Sequence, residues 1–351
     1  SSTSSIVQSF QWRRQHPFFL NYLKRQVEQK MSKLSRTNIE IFKLLLERGK
    51  LSGEALSREL GISRATVSRR VKELNENGFF INADDEGYSV PSNELLLFLN
   101  NFLGKMRASL QYRAVLLDSC DSSQDLAEDM ARRGAEEGSF VICGEIKSAR
   151  GRLGRRWIAN RGGLWLSLIL KPGFIEGIHL ISLALGVSFA QGIEEVLGVS
   201  PKLKWPNDIM IAERKVGGIL VEAKVDPDGF AYAIAGVGIN VNNDIEPFLK
   251  QEAASLKNIV GREVPIIPLL GRSLYLFSQK YENLKAKRTQ EIILQWKAMS
   301  MTLGRRVKAI FKPDDAKEGI AVDIASDGSL ILQLDSGEKV RIYAGDIVHL
   351  R

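Results

Sequence analysis

Residues 148–157 concentrate positive charge and glycine in one short stretch, Ser-Ala-Arg-Gly-Arg-Leu-Gly-Arg-Arg-Trp. Its arginines are Arg150, Arg152, Arg155 and Arg156. Arginine carries a permanent charge and paired donors that suit a phosphate or a carboxylate. Gly151 and Gly154 allow unusual backbone angles and let a ligand approach the main chain closely. The stretch, which ends at Trp157, therefore predicts a loop that folds over an anion; a solvated basic loop is the alternative.

A lysine directly before a rigid turn is the second candidate for chemistry. Lys204 opens the run Lys-Trp-Pro-Asn-Asp, in which Pro206 stops regular structure and Asn207-Asp208 favours a turn. A lysine held in this way can be directed at an anion. The alternative is a lysine that faces solvent.

Two strand-like runs contain glycines where a ligand or another backbone could approach closely. These runs are Val216–Val225 and Phe230–Val241, and their candidate residues are Gly218, Gly236, Gly238 and Asn240. A further polar cluster, Ser122, Ser123 and Gln124, opens a predicted helix that runs to Arg133. Hydroxyl groups at a helix N-terminus can bind a polar ligand, or they can serve only as an N-cap.

The elements around these residues alternate between strands and helices, which predicts a central α/β or α+β domain. Strands at Phe140–Ile146 and Leu164–Leu170 flank the Gly/Arg loop, and Ile178–Leu197 is a long apolar helix expected in the core. Helices near Leu269–Lys285 and Thr289–Met299 follow. From Thr302 onward the pattern is β only, with Asp327-Gly328 and Ser336-Gly337 as hairpin turns. Five short strands predict a small barrel of SH3 type.

The N-terminal part reads as a winged helix. Thr37 with Glu40 forms a capping box for the first helix, Ser52 caps the second and Ser63 caps the third. In the third helix Val67, Val71 and Leu74 should face inward. The side that remains suits the major groove of DNA and carries Ser63, Arg64, Ser68, Arg69 and Lys72. Residues 1–97 hold 15 Lys/Arg against 11 Asp/Glu, so the domain is only mildly basic, and a winged helix that is used for protein contacts or is vestigial stays open as an alternative.

Composition limits the remaining possibilities. The chain has 351 residues, a net charge of +8 and 44% hydrophobic residues, which suggests two or three globular domains. No signal peptide or membrane-spanning run is evident, so we expect a cytoplasmic protein without a membrane partner. Cys120 and Cys143, with no histidine nearby, argue against a disulfide framework and against a zinc site. We predict no protein-bound metal.

With these motifs in this order, residues 35–351 resemble the bifunctional biotin protein ligase and biotin-operon repressor of bacteria and some archaea. The Gly/Arg loop is similar to that family's Gly-Arg-Gly-Arg-x-Gly-Arg-x-Trp signature. Residues 204–208 are identical to its Lys-Trp-Pro-Asn-Asp motif, and residues 218–222 and 236–240 match two further motifs. The resemblance implies a multidomain α+β protein with an N-terminal winged helix, a class II synthetase-like central mixed α/β ligase domain and a C-terminal SH3-like β-barrel.

The resemblance also implies a role for each matching position. Lys204 and Arg152 are the candidate catalytic residues. The positions implied to bind biotin or its adenylate are Ser122, Ser123, Gln124, Arg150, Gly151, Arg152, Gly154, Arg155, Trp157, Lys204, Asn207, Gly218, Gly236, Gly238 and Asn240. Three positions depart from the family pattern. Ala149 replaces the first loop glycine, Ile146 stands where a glutamine commonly contacts biotin, and the region after Asn240 has Ala253-Ala254 and no Trp to cover an adenine.

The implied domains are an unassigned extension (1–30), the winged helix (31–97), the ligase domain (98–300) and the C-terminal domain (301–351). The implied activity joins biotin to ATP, with Mg²⁺, to form biotinyl-5′-AMP, and then biotinylates a lysine of the biotin carboxyl carrier protein of acetyl-CoA carboxylase. The same adenylate would act as corepressor for a homodimer on operator DNA. The alternatives are a lipoate–protein ligase and a DNA-binding repressor that only senses a small anion.

Overall fold

The computed structural model describes residues 35–76, 81–90, 108–173, 178–225, 231–312 and 315–350. The extension at residues 1–30 lies outside these ranges. The described chain divides into two compact units, an N-terminal unit (35–90) and a second unit from residue 108 onward, apart from Pro265–Pro268.

The N-terminal unit has the three helices and the two-stranded wing that the sequence predicts. Its elements are α1 (Arg36–Arg48), α2 (Gly53–Leu60), α3 (Arg64–Glu76), β1 (Asn82–Asp84) and β2 (Gly87–Ser89). The two strands pair antiparallel, and Leu51 adds a backbone bridge to Tyr88 of β2. Val67, Val71 and Leu74 are buried as predicted.

Capping serines define where these helices begin. Ser52 Oγ accepts from the Ala55 amide and Ser63 Oγ accepts from the Thr66 amide, as expected. The predicted Thr37 cap is wrong, because Ser35 caps α1 two residues earlier and accepts from the Asn38 amide. Ser35 Oγ also donates to Asn38 Oδ1, and a capping-box pattern alone did not reveal this earlier start.

The second unit begins with one large sheet and its helices. Its elements up to residue 299 are β3 (Arg113–Leu117), α4 (Ser123–Arg132), β4 (Ser139–Cys143), β5 (Leu164–Leu170), α5 (Ile178–Leu197), β6 (Lys202–Lys204), β7 (Asp208–Ile211), β8 (Arg214–Val225), β9 (Ala231–Ile239), α6 (Leu256–Val260), α7 (Ile266–Lys285) and α8 (Gln290–Met299). The seven strands lie in the order β3-β4-β5-β9-β8-β7-β6. Only β3 and β4 are parallel.

Two helices pack against this sheet from different parts of the chain. Helix α4 contacts β4, β5 and β9, whereas α5 contacts β8 and α8. Among the described helices, α5 is the one long and apolar enough to cross a membrane, and 72% of its most apolar window is buried in the protein. It therefore occupies the core position that its composition predicts.

The C-terminal residues form a five-stranded antiparallel sheet. Its strands are β10 (Arg306–Lys312), β11 (Asp315–Ile324), β12 (Leu330–Gln333), β13 (Lys339–Ile342) and β14 (Asp346–His349), in the order β13-β12-β11-β10-β14. All five predicted strands are present. Closure into a barrel is not observed, because β13 and β14 are not paired to each other within the described residues.

The two cysteines are bonded to each other, which corrects the inference from their number. Cys120 and Cys143 form a disulfide whose Cα atoms are 6.3 Å apart. The parallel pairing of β3 with β4 places the segment after β3 beside the end of β4, and Cys120 is bridged to Ile146 there. Residues 23 positions apart thus become neighbours through sheet pairing, which cysteine counting does not detect.

Candidate active site

One cavity of about 850 Å³ in the second unit collects nearly all the predicted ligand-binding positions. Of the fifteen, only Gly154 does not line it. Residues from the start of α4, the Gly/Arg loop, the β6–β7 turn and strands β8 and β9 meet at its wall. Sheet pairing explains the meeting of the strands, because β5, β9 and β8 are neighbours and the register places Gly218 of β8 opposite Gly238 of β9.

The start of α4 supplies polar side chains to one end of the cavity. Ser122 caps the helix, and Ser123 Oγ lies 2.8 Å from Ser167 Oγ of β5. Gln124 donates through Nε2 to Glu222 at 3.0 Å, while its Oε1 is buried and has no hydrogen-bond partner among the described residues. A Cβ on Gly236 would lie 2.8 Å from this oxygen. Glycine at 236 therefore leaves room for Gln124 and keeps an unused acceptor at the cavity wall.

The Gly/Arg loop forms a narrow hairpin above the sheet. The Gly151 amide donates to Arg155 O at 2.7 Å, and the Trp157 amide donates to Ala149 O at 2.9 Å. Gly154 has φ +71°, a conformation that favours glycine, whereas Gly151 has an extended φ of −97°. The predicted need for unusual backbone angles therefore holds for Gly154 only. Leu153, at φ +55°, is exposed at the tip.

Three of the four loop arginines, Arg150, Arg152 and Arg155, have clearly different surroundings. Arg150 donates to Asp125 at 2.7 Å and to Ser122 at 3.3 Å, and the bond to Asp125 raises the pKa of the guanidinium. Arg155 forms an ion pair with Asp346 of β14. Arg152 is different, because its Nη1 is buried and has no hydrogen-bond partner within the described residues. Burial lowers the pKa of Arg152. An anion in the cavity would supply the acceptor that this nitrogen lacks.

The turn between β6 and β7 positions the candidate lysine. Lys204 pairs with Asp208 across the turn, and the intervening Trp205–Pro206 peptide bond is cis. Asn207 donates through Nδ2 to Ile219 O at 2.6 Å, so this amide group holds the turn against β8. Lys204 lines the cavity and forms no ion pair with any described residue. Its ammonium group is thus available to a ligand.

Trp157 occupies the space that two predicted glycines leave open. A Cβ on Gly238 would lie 3.2 Å from the Trp157 indole, and one on Gly218 would lie 3.4 Å from it. The indole Nε1 is buried without a hydrogen-bond partner among the described residues. Asn240 is itself engaged, since its Oδ1 accepts from Asn243 at 3.0 Å. The glycines therefore form the seat of an aromatic ring at the cavity wall.

Lys215 and Phe248 are two of the lining residues that were not anticipated from the sequence. Lys215 forms an ion pair with Asp208 at 2.6 Å and lies 5.1 Å from the Trp157 ring centroid. Phe248, on a short 3-10 turn at Pro247–Leu249, lines the cavity and is 75% exposed. A large aromatic ring that is exposed beside a cavity indicates a ligand contact, and this exposure is visible only in the structure. Phe248 is an aromatic residue after Asn240 where the sequence showed no Trp.

The predicted DNA-reading residues lie together on helix α3 of the N-terminal unit. Arg64, Ser68, Arg69 and Lys72 are exposed, and Ser63 precedes the helix as its cap. Their shared face is opposite the buried Val67, Val71 and Leu74. Contact with DNA stays a prediction.

Comparisons with known proteins identify the family. The model of the biotin/lipoate A/B protein ligase family matches residues 116–240, an HTH domain model matches residues 37–89, and the biotin protein ligase C-terminal domain model matches residues 302–350. The bifunctional ligase/repressor BirA of Bacillus subtilis is 31% identical over 304 residues, covering 85% of this chain and 93% of that protein. The BirA of Escherichia coli is 27% identical, covering 86% and 92%.

A solved structure shows the same ligase fold. The biotin protein ligase from Aquifex aeolicus in complex with biotin and ATP superposes with a TM-score of 0.60 at 28% identity. The superposition covers 68% of this chain and 98% of the Aquifex aeolicus chain. Together with a relative above 30% identity over nearly its full length, this similarity leads to a plain conclusion: the chain belongs to the family of bifunctional biotin protein ligases and biotin-operon repressors.

Proposed function

We propose that this protein is an ATP-dependent biotin–protein ligase. The biotin carboxylate attacks the α-phosphorus of ATP, which forms biotinyl-5′-AMP and releases pyrophosphate. The ε-amine of a lysine on a biotin carboxyl carrier protein then attacks the mixed anhydride and releases AMP. The observation that carries the proposal is the cavity: fourteen of the fifteen predicted positions line it, and one of them, Arg152, has a buried Nη1 without a partner among the described residues.

The surroundings of each lining residue suggest its role. Gln124 Oε1 and the two serines form the polar end, which suits the head group of biotin. Arg152 and Lys204 are the cations for the carboxylate and the α-phosphate. Trp157 and Phe248 supply the aromatic surfaces for an adenine, and so Phe248 takes the place of the missing Trp.

The chemistry requires charge neutralisation and alignment more than proton transfer. Among the described residues that line the cavity, none is a histidine or a cysteine. Two anionic reactants must approach each other, and fixed cations lower the repulsion between them. Holding the carboxylate oxygen in line with the α-phosphorus supplies the remaining advantage.

Mg²⁺ belongs to this proposal as the partner of ATP. No group of three or more His, Cys, Asp or Glu side chains within the described ranges could hold a metal ion. This fits Mg²⁺, which usually keeps several waters and binds through substrate phosphates with one or two carboxylates. Mg²⁺ would neutralise phosphate charge, while the protein's own cations align the reactants.

Biotin-dependent exchange of labelled pyrophosphate into ATP tests the first half-reaction. We expect exchange with biotin and none with lipoate or octanoate. Preferential exchange with lipoate would favour the lipoate–protein ligase alternative. Biotin binding without any exchange would instead support a repressor that only senses a small anion.

The N-terminal unit leads us to propose a second role as a biotin-responsive repressor. Biotinyl-5′-AMP would favour a homodimer, which would place two winged helices on a palindromic operator. Ser63, Arg64, Ser68, Arg69 and Lys72 would face the DNA. The proposal includes a cytoplasmic location and the domain limits 31–97, 98–300 and 301–351.

Operator binding with and without biotin plus ATP tests this role. We expect binding to be tighter with both ligands, and we expect Arg69→Ala to weaken it. Arg58→Ala, on the exposed side of α2, is a matched control because Arg58 pairs with Glu54 of the same helix. Equal affinity in both ligand conditions would exclude ligand coupling.

A further inference from the structure

The backbone on both sides of Lys204 is hydrogen-bonded to the C-terminal part of the chain. Leu203 O accepts from the Met301 amide at 2.9 Å, and the Trp205 amide donates to Thr302 Oγ1 at 3.0 Å. The Trp205 side chain adds a third bond, from Nε1 to Gly328 O at 3.1 Å. The residues on either side of Lys204, Leu203 and Trp205, are therefore both hydrogen-bonded to the C-terminal region.

These bonds are out of reach of water. Trp205 is 1% exposed and Thr302 is 0% exposed. A buried donor that loses its acceptor cannot recover a partner from solvent, and so the backbone must shift or remain unpaired. His349 of β14 lies behind Thr302, with Nε2 at 3.4 Å from Oγ1, and limits the alternative positions of this hydroxyl.

The far end of the turn is fixed as well. Asn207 exchanges two bonds with Ile219 of β8, through its side-chain Nδ2 at 2.6 Å and its backbone oxygen at 3.0 Å. The turn that begins at Lys204 is thus fixed by the C-terminal region on one side and by the central sheet on the other. Only the lysine side chain is left without a protein partner among the described residues.

We propose that Thr302 is a positioning residue for the adenylation step, acting through Trp205 to fix the place of the Lys204 ammonium group. This inference rests on the proposed ligase activity. Thr302 does not line the cavity and does not touch substrate. Its hydroxyl holds the backbone from which the catalytic lysine extends. A displacement of a catalytic group by about 1 Å can cost roughly a hundredfold in rate.

The experiment compares three variants of the full-length protein in the pyrophosphate-exchange assay. Thr302→Val keeps the shape of the side chain and removes the acceptor, whereas Thr302→Ser keeps the acceptor. Ser188→Ala is the matched control, because Ser188 is fully buried and loses one hydroxyl bond to Ala184 O in helix α5. We expect Thr302→Val to lower kcat roughly ten- to a hundredfold. The KM for biotin should change less than threefold, and both Thr302→Ser and Ser188→Ala should behave like the wild type.

Hydrogen–deuterium exchange of the peptide around Trp205 provides a readout that does not depend on activity. We expect faster exchange of this peptide in Thr302→Val than in the wild type or in Thr302→Ser. The inference would be overturned if Thr302→Val left kcat unchanged, or if it left the hydrogen–deuterium exchange of the Trp205 peptide unchanged. We also measure the Tm of each variant. The inference would be overturned as well if Ser188→Ala lost as much kcat per degree of lost Tm as Thr302→Val, because the effect would then reflect general destabilisation. If the wild type shows no biotin-dependent exchange of pyrophosphate into ATP, the ligase proposal fails first, and the positioning role fails with it.

Discussion

The Gly/Arg loop and the Lys204 turn reach the same cavity but are held by different kinds of contact. The loop is held by ion pairs in which one side chain is open to water and the other is partly covered: Arg155 is 69% exposed and Asp346 21%, and Asp125 is 60% exposed and Arg150 33%. The turn is held by bonds to Trp205 and Thr302, which are 1% and 0% exposed. An exposed ion pair contributes about 0–1 kcal/mol, whereas leaving a buried donor unpaired costs roughly 1–3 kcal/mol.

This difference separates two tasks of the site. Substrates must enter and the adenylate must later meet an acceptor lysine, so a loop that opens at low cost is suitable. The cation that aligns the carboxylate with the phosphate must keep its place through each cycle. We infer that motion is confined to the loop and that the turn serves as a fixed reference. The following predictions test that division, from the largest expected effect to the smallest.

Removing the fixed cation should have the largest effect. We expect Lys204→Ala to slow adenylate formation by a factor on the order of 10²–10³, because Lys204 is a lining cation that forms no ion pair with any described residue and its charge would be lost from the site. Single-turnover formation of biotinyl-5′-AMP measures this. The matched control is Lys202→Ala, an exposed lysine on the same strand that does not line the cavity. A Lys204→Ala rate within threefold of the wild type would contradict the assignment.

Reducing the disulfide should destabilise the base of the loop. Cys120 is joined to Cys143, and the segment beside it carries the bonds from the Lys147 and Ser148 amides that start the loop. Closing a chain segment of this length contributes about 3 kcal/mol in the loop-entropy account. Urea unfolding with and without dithiothreitol measures the difference in free energy of unfolding. A Cys120→Ala variant should not respond to the reductant, and a wild type that responds no more than this variant would refute the prediction.

Removing the charge of the loop's C-terminal ion pair should have a small effect. Asp346→Asn leaves the size of the side chain unchanged and removes the pair with Arg155. We expect the adenylate to dissociate at most about fivefold faster, in line with an exposed pair. The difference in dissociation rate between Asp346→Asn and the wild type should shrink at about 1 M salt, where the Debye length is ~3 Å. Asp335→Asn breaks a more exposed Asp–Arg pair, with Arg306, whose residues do not line the cavity, and should have no effect on dissociation. A hundredfold change in Asp346→Asn would mean that the loop is not held loosely.

The smallest expected effect is the contribution of His349, which lies next to Thr302, to the pH dependence of folding stability. Burial, together with the charges of Lys204 and Arg305, lowers the pKa of His349 to about 4. In the unfolded chain this histidine takes up a proton near pH 6.5, whereas in the folded protein it stays neutral until about pH 4. Folding stability should therefore fall as pH decreases from about 6.5 to about 4. The decrease in Tm over this range should be smaller in His349→Gln, and an equal decrease in both proteins would rule out the contribution of His349.

Local patterns determined most of the elements in this protein. The apolar runs at Leu164–Leu170 and Ile178–Leu197 became a strand and a helix with those limits, because hydrophobic periodicity and length suffice for buried elements. The helix-turn-helix and its wing followed from serine caps and from the i, i+4, i+7 spacing of Val67, Val71 and Leu74. The exception, Ser35 in place of Thr37, arose where two residues in the same turn could both serve as caps.

Tertiary structure decided everything that depends on pairing between distant residues. The disulfide depends on the parallel register of β3 with β4, and the seat of Trp157 depends on β8 lying beside β9. Phe248 was not foreseen because the exposure of a side chain is a property of the folded surface. The bond from Trp205 to Thr302 spans 97 residues, and no local pattern announces a partner at that separation.

The sequence by itself determined which side chains could neutralise an acyl-phosphate: the loop arginines and Lys204, in motifs short enough to be recognised without a structure. Only the folded chain decided which of these cations are engaged and which are available. Arg150 and Arg155 are paired with carboxylates, whereas Arg152 Nη1 and Lys204 have no described protein partner. Residue type fixes what a group can do, but its distance from its neighbours, and hence its charge balance, is set by packing.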